Sequence, residues 1–293
     1  MNSLELSYPI IAAAMYCFSI VFVKLATAGG RVSPTSVLFF NNIAMWAIFL
    51  PSTFAEGGVK DTSLLWQPIL IGVFFSMGNF ATFLCAHKGE VSLMTPVMGV
   101  KILLVLLFAK VITGMNLPPM MITSAAICCA AVFIMGYSRK AANPKKAART
   151  YVLAMWACAS YAMCDVLFQK FSPNFSPLSL MSISNLVLLL SSLPFLKGFL
   201  RDIRRARSAD MSFAALAAGL MVVECVLMVF AITGSVGAPL CNILYNTRGI
   251  FSVALIFILG KKIPALSEIS QSSAMRRMAG SLMILSAVAM VLF

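Results

Sequence analysis

Apolar runs of about 20 residues recur along the whole chain, each closed by a short polar or turn-forming break, the pattern of helices that cross a bilayer core. Ten such runs fall near 6–27, 36–54, 64–86, 91–112, 117–137, 150–171, 177–196, 212–232, 236–260 and 274–293. The breaks carry turn chemistry: Gly29-Gly30, Gly57-Gly58, Lys88-Gly89-Glu90, Pro118-Pro119, Asn143-Pro144, Ser176-Pro177 and Gly234. Several connections are so short that neighbouring spans must form antiparallel hairpins. The longest polar stretches, 138–149, 197–211 and 261–273, leave no room for a soluble domain. The runs are continuous, without the ten-residue alternation of a membrane β-barrel. The predicted fold is an all-α integral membrane protein of ten transmembrane helices.

Composition strengthens this reading. Of 293 residues, 61% are hydrophobic and 11% charged, against about 25% charged in soluble domains. A soluble enzyme, a secreted disulfide scaffold and a disordered tail are excluded. The net charge of +13 invites a nucleic-acid reading, but the basic residues fall in short loops between apolar runs, as beside anionic lipid. No nucleic acid is expected as a partner. Cys17, Cys85, Cys128, Cys129, Cys158, Cys164, Cys225 and Cys241 all sit inside apolar runs, and His87 is the sole histidine. They read as small packing residues, with no disulfide framework, metal site or cofactor expected. The opening MNSLELSYP has no Lys or Arg and no cleavage site follows, so the first run reads as a retained helix. The expected location is the plasma (inner) membrane, multi-pass.

The chain also matches itself at half its length. Val32-Ser33-Pro34-Thr35-Ser36, with Asn42 beyond it, answers Phe175-Ser176-Pro177-Leu178-Ser179, with Asn185 beyond it. Tyr16 and Lys24 answer Tyr161 and Lys170, and Ala86-x-x-Gly89-x-Val91 answers Ala231-x-x-Gly234-x-Val236. The order is the same in both halves, which predicts a duplication, 1–140 and 141–293, together one transport domain. Five spans per half is odd, so the second half enters from the opposite face and the repeats are inverted. Transporters use this symmetry to exchange two conformations around one midplane site.

Ten helices in two repeats, with Gly89-Glu90-Val91-Ser92-Leu93-Met94-Thr95-Pro96 opening the fourth span, resemble the drug/metabolite transporter superfamily, and within it the ten-helix EamA-like branch of amino-acid and metabolite exporters. The resemblance covers essentially the whole chain. It implies a central cavity lined by helices 1, 3, 4, 6, 8 and 9. One departure stands out: many relatives close helices 4 and 9 with Gly-Glu, where this chain has Thr113-Gly114-Met115 and Gly260-Lys261.

An ionisable side chain in mid-span costs several kcal/mol unless paired or wet, so each is a functional candidate. Four qualify: Lys101 in span 4, Arg248 in span 9, Glu224 in span 8 and Asp165 in span 6. Lys24 and Lys170, near span ends, can snorkel to the headgroups. Glu224 answers Asn79 in the other half. Span 9 adds Asn242, Tyr245 and Asn246 to Arg248, a polar face at membrane depth. Tyr16 and Tyr161 hold matching places and could stack on a ligand or simply pack. Asn42 and Asn185 read as interhelical hydrogen-bonders. Two readings of the charges stay open: buried ion pairs, Arg248–Glu224 or Lys101–Asp165, or a site where a cation holds a substrate carboxylate or phosphate and an acid holds an ammonium group or a coupling proton. Gly99 and Gly249, beside the two cations, are hinge candidates.

The expected function is a secondary active transporter, an exporter of small polar or zwitterionic metabolites such as amino acids, working by alternating access as a monomer or weak oligomer in the lipid bilayer. An exchanger of phosphorylated or nucleotide-linked solutes is the alternative. No nucleotide-binding loop is present for ATP hydrolysis. An intramembrane enzyme would need a nucleophile with a base, or a metal cluster. A channel or membrane scaffold is the remaining class, and no repeated filter is seen. Fourteen cations crowd the connections after spans 5, 7 and 9, which places those connections in the cytoplasm and both termini outside; ten-helix relatives usually have both termini inside.

Overall fold

The computed structural model describes residues 3–55, 61–88, 97–136, 144–259 and 271–292. Among them all regular structure is helical: α1 (Ser3–Thr27), α2 (Pro34–Ala55), α3 (Trp66–Lys88), α4 (Lys101–Phe108), α5 (Pro119–Gly136), α6 (Pro144–Phe171), α7 (Pro177–Ser192), α8 (Leu196–Ile203), α9 (Ser208–Thr233), α10 (Gly237–Tyr245), α11 (Arg248–Leu259) and α12 (Gln271–Leu292). Among the described residues seven helical stretches are long and apolar enough to cross a membrane, and α5 is a shorter apolar helix. The chain is an α-helical membrane protein. The Gly89–Pro96 motif, the division at 140/141 and the link 261–270 lie outside the described residues.

Local chemistry sets the helix starts. Ser33 and Ser176 each precede a proline, and each hydroxyl accepts an N–H three residues on, from Ser36 at 3.3 Å and Ser179 at 3.1 Å. A serine N-cap with proline in the first helical position satisfies donors that a helix start leaves free. Helix boundaries depart from the polarity boundaries in four places. The polar residues 145–149 are wound into α6, and most of 197–211 is helical, because charge marks where the bilayer ends and not where a helix does. The ninth run, expected as one helix over 236–260, is broken at Asn246-Thr247 into α10 and α11. The fourth passes from α4 into a widened turn, Ala109–Thr113, and stops at Gly114, whose φ of 68° only glycine adopts freely.

Helix α10 is the centre of the bundle: every one of its residues is buried, Asn242 and Tyr245 included. Around it the long helices pack in pairs, α1 on α9, α3 on α6, α5 on α12 and α2 on α7, with α4 on α6, α1 on α10 and α11, α3 on α7 and α2 on α9. Serines stitch three of these contacts. Ser19 donates to the Ala217 carbonyl at 3.0 Å, Ser124 to Ala287 at 2.5 Å, and Ser184 to Pro68 at 2.9 Å. In lipid such bonds matter because no water competes for the carbonyl. Asn42 and Asn185 behave otherwise than expected. Both are buried in helices that pack on each other, yet among the described residues Asn42 Oδ1 and Asn185 Nδ2 have no hydrogen-bond partner. Burial is what they share, not a bond.

The two ends of the bundle are tied by related contacts. At one end Arg31, in the turn before Ser33-Pro34, grips Asp210 in the first turn of α9 with Nε–Oδ2 2.7 Å and Nη2–Oδ1 3.0 Å. At the other, Asn174, in the turn before Ser176-Pro177, donates to Gln67 in the first turn of α3 at 2.9 Å. Asp202, 4% exposed, reinforces the first end by accepting from the Ser33 amide, the Ser33 hydroxyl and the Ser36 hydroxyl at 3.0, 2.7 and 2.8 Å. Glu5 reinforces the second by accepting from the Ser235 amide and hydroxyl at 2.8 and 2.7 Å.

Candidate functional site

The break in the ninth run places Arg248 as the first residue of α11, on the inside of the bundle. Its guanidinium lies 5.0 Å from the ring centroid of Tyr245 and 5.6 Å from that of Tyr16. The two rings meet edge to face, 6.2 Å apart. Among the described residues no carboxylate comes within 4.0 Å of Arg248. The Tyr245 hydroxyl donates to Glu224 Oε1 at 2.7 Å, while the Cys225 thiol points at Glu224 Oε2 from 3.3 Å. The Cys17 thiol donates to the Arg248 carbonyl at 3.2 Å, tying α1 to the break. Arg248, Tyr245, Tyr16 and Glu224 therefore form one cluster: a cation between two aromatic faces, with an acid held behind one of them. An Arg248–Glu224 ion pair, one of the two expected alternatives, does not form, because the Tyr245 hydroxyl takes the acid.

The other alternative does form. Lys101 Nζ stands 2.8 Å from Asp165 Oδ2, joining α4 to α6, with side-chain exposures of 18% and 15%. Asn242 completes this second cluster, donating to Asp165 Oδ2 at 2.8 Å and to the Ala238 carbonyl at 2.9 Å through the same amide nitrogen. Asn246 is buried one turn on and returns its amide to the Asn242 carbonyl at 3.0 Å. It seals the broken end of α10, a structural task the sequence does not disclose. Asn242 of this cluster and Tyr245 of the first both stand on α10, so one helix carries a member of each.

Tyr161 and Asn79 make a third group. The Tyr161 hydroxyl donates to Asn79 Oδ1 at 2.6 Å and lies 3.3 Å from the Thr82 hydroxyl. Gly78 permits this, since a Cβ there would stand 2.7 Å from the Tyr161 ring. Sequence reading missed Cys17, Cys225, Thr82 and Gln169, whose Oε1 accepts from the Ala238 amide at 2.9 Å and so caps α10. Only Gln169 had a signal, being a lone amide two residues from the end of its run. Lys24 and Lys170 are exposed, as side chains that reach for headgroups should be.

No family model and no curated protein matches the chain. Solved structures do: one crystal structure, described only as that of a protein, superposes on 99% of this chain and 97% of its own length with a TM-score of 0.72 at 15% sequence identity. That likeness is one of fold alone.

Proposed function

We propose that this chain is a secondary active transporter of the drug/metabolite transporter superfamily, EamA-like, with ten spans in two inverted five-helix repeats. It exports small polar or zwitterionic metabolites such as amino acids across the plasma (inner) membrane. The observation that carries the reading is Arg248: a cation inside a membrane bundle, flanked by aromatic faces and without a carboxylate partner among the described residues. An unpaired charge at that depth is expensive, and an arriving carboxylate would relieve the cost through the planar guanidinium fork. On this reading Glu224 would take an ammonium group on the same ligand, or a coupling proton, in exchange for its bonds to Tyr245 and Cys225.

The packing supports the inverted repeat. Pairing α1 with α6, α2 with α7, α3 with α9, α4 with α10–α11 and α5 with α12 maps the α1–α9 contact onto α6–α3, and α3–α7 onto α9–α2. It likewise maps α4–α6 onto α11–α1, and Pro51 onto Pro194. The end joints Arg31–Asp210 and Asn174–Gln67 correspond under the same pairing. The alternative, exchange of phosphorylated or nucleotide-linked solutes, would use both deep cations; Lys101 is paired with Asp165, which leaves Arg248 and favours the single negative charge of a carboxylate.

Purified protein in proteoliposomes tests the proposal. Preloaded amino acid should drive counterflow of labelled amino acid, and Arg248→Ala should abolish it while the protein still elutes as a folded species. Sugar phosphates exchanging where amino acids do not would replace the first substrate class by the second. No solute flux in any arm, with folded protein in the membrane, would remove the transport reading.

A further inference from the structure

The seventh run ends in a device that transport does not use. Pro194 lacks the N–H that would continue the α7 ladder, and a single tight turn, Leu193–Phe195, leads into α8. From Pro177 to Ile203 the helical stretch is 27 residues long, or about 40 Å at 1.5 Å per residue, against a hydrocarbon core of about 30 Å. Its last turns therefore stand at headgroup depth.

Helix α8 has three faces. Phe199 and Asp202 point inward and are buried. Phe199 packs edge to face on Phe39 at 5.1 Å, and Asp202 is spent on Ser33 and Ser36. Leu200 and Ile203, with Leu193 before the helix, are 49%, 40% and 46% exposed. Lys197, Arg201 and Arg204 recur at i, i+4 and i+7 on the remaining face, all exposed, and Arg205 and Arg207 follow, exposed as well. Among the described residues the acids at this end are Asp202 and Asp210. Both are buried: Asp202 accepts from serines and from its neighbour Arg201 at 3.3 Å, and Asp210 from Arg31. The outer face thus carries positive charge with no acid showing beside it, next to bare leucine and isoleucine.

We infer that α8 and the Arg204–Arg207 turn form a docking surface for anionic phospholipid headgroups. Apolar side chains enter the acyl boundary, and cations meet the phosphate layer above it. The occupant follows from charge and depth together: a soluble anion would satisfy the arginines but not Leu193, Leu200 and Ile203, and a zwitterionic lipid would satisfy the apolar face but not the cations.

The test uses the full chain, delipidated in neutral detergent, with phosphatidylglycerol, phosphatidylcholine or inorganic phosphate as the probe. Retention is read by native mass spectrometry and stability by thermal unfolding. Phosphatidylglycerol should be retained and raise the unfolding midpoint; phosphatidylcholine and inorganic phosphate should not. A headgroup contact is worth about 1 kcal/mol per cation, about fivefold, so a Lys197→Gln, Arg204→Gln, Arg205→Gln variant should bind phosphatidylglycerol on the order of a hundredfold more weakly. Lys110→Gln, an exposed cation on another helix, should leave binding unchanged. Arg201 and Arg207 are spared because Arg201 touches Asp202 and Arg207 begins α9. Should the triple variant fail to fold, the wild-type protein decides: in about 1 M salt, where the Debye length is about 3 Å, its preference for phosphatidylglycerol should vanish. Equal retention of both lipids, stabilisation by phosphate alone, or a preference that survives the salt or the triple variant would each overturn the inference.

Discussion

Neutralising Asp165 separates the two roles open to Lys101. The pair is 2.8 Å apart and mostly shielded from solvent. At an effective dielectric near 20 its gross attraction is about 6 kcal/mol, most of it spent on desolvating both groups. What a single substitution reports is the stranded charge left behind, about 3 kcal/mol in protein interiors and in membrane spans alike. Asp165→Asn and Lys101→Met should each lower stability by roughly that amount, about 6 °C at some 2 °C per kcal/mol for a long chain. The double variant should regain more than half of the sum of the two losses, since no charge is then left alone. The protein carries its own reporter: all eight cysteines are free and six are buried, so a thiol-reactive fluorophore brightens as the bundle opens. Additive losses in the double variant would refute the pair. Single variants of normal stability that fail only in transport would make Lys101 a ligand group instead.

Gly72→Ala should cost about 1–3 kcal/mol of thermal stability, because its Cβ would sit 2.6 Å from Val187 Cβ and 2.7 Å from the Ser184 carbonyl; Gly219→Ala, with open space at that position, should gain up to about 1 kcal/mol in the same melt. Glu224→Gln should keep counterflow but lose accumulation driven by a pH gradient, and an unchanged pH response would take the coupling proton away from Glu224. A reporter active only outside the cytoplasm, fused after Phe293, should be active, as the fourteen cations of the three basic connections require; activity of a cytoplasmic reporter there would reverse the orientation.

Most of the fold can be read from the sequence, because in lipid a helix must satisfy its own backbone and length alone nearly identifies it. The limits are equally physical. The α10–α11 break leaves no proline or glycine at Asn246-Thr247 to announce it, and Asn246 does its sealing with an ordinary amide. The deep charges are found from sequence because each is expensive, but which acid meets which cation is decided by helix rotation, and periodicity does not report that between helices. Asp202 and Asp210 illustrate the opposite error. Set among arginines they look like solvated loop charges, yet each turns inward to hold α2 or the preceding turn.

The two end joints bear on the resting state of the molecule. Arg31–Asp210 and Asn174–Gln67 occupy equivalent places, and both are closed at once. If the halves are inverted repeats that trade shapes, as proposed, and both joints stay closed in each shape, the joints add nothing to the free-energy difference between the shapes. They then act as fulcrums, holding the halves together without favouring either shape. The bias must reside in contacts without a counterpart, since only a difference between states moves a population. Lys101–Asp165 on one side, answered on the other by Arg248 against tyrosine, is such an inequality. Under the proposed alternating access, the empty protein's preference for one shape would follow from the unlikeness of Lys101 and Arg248.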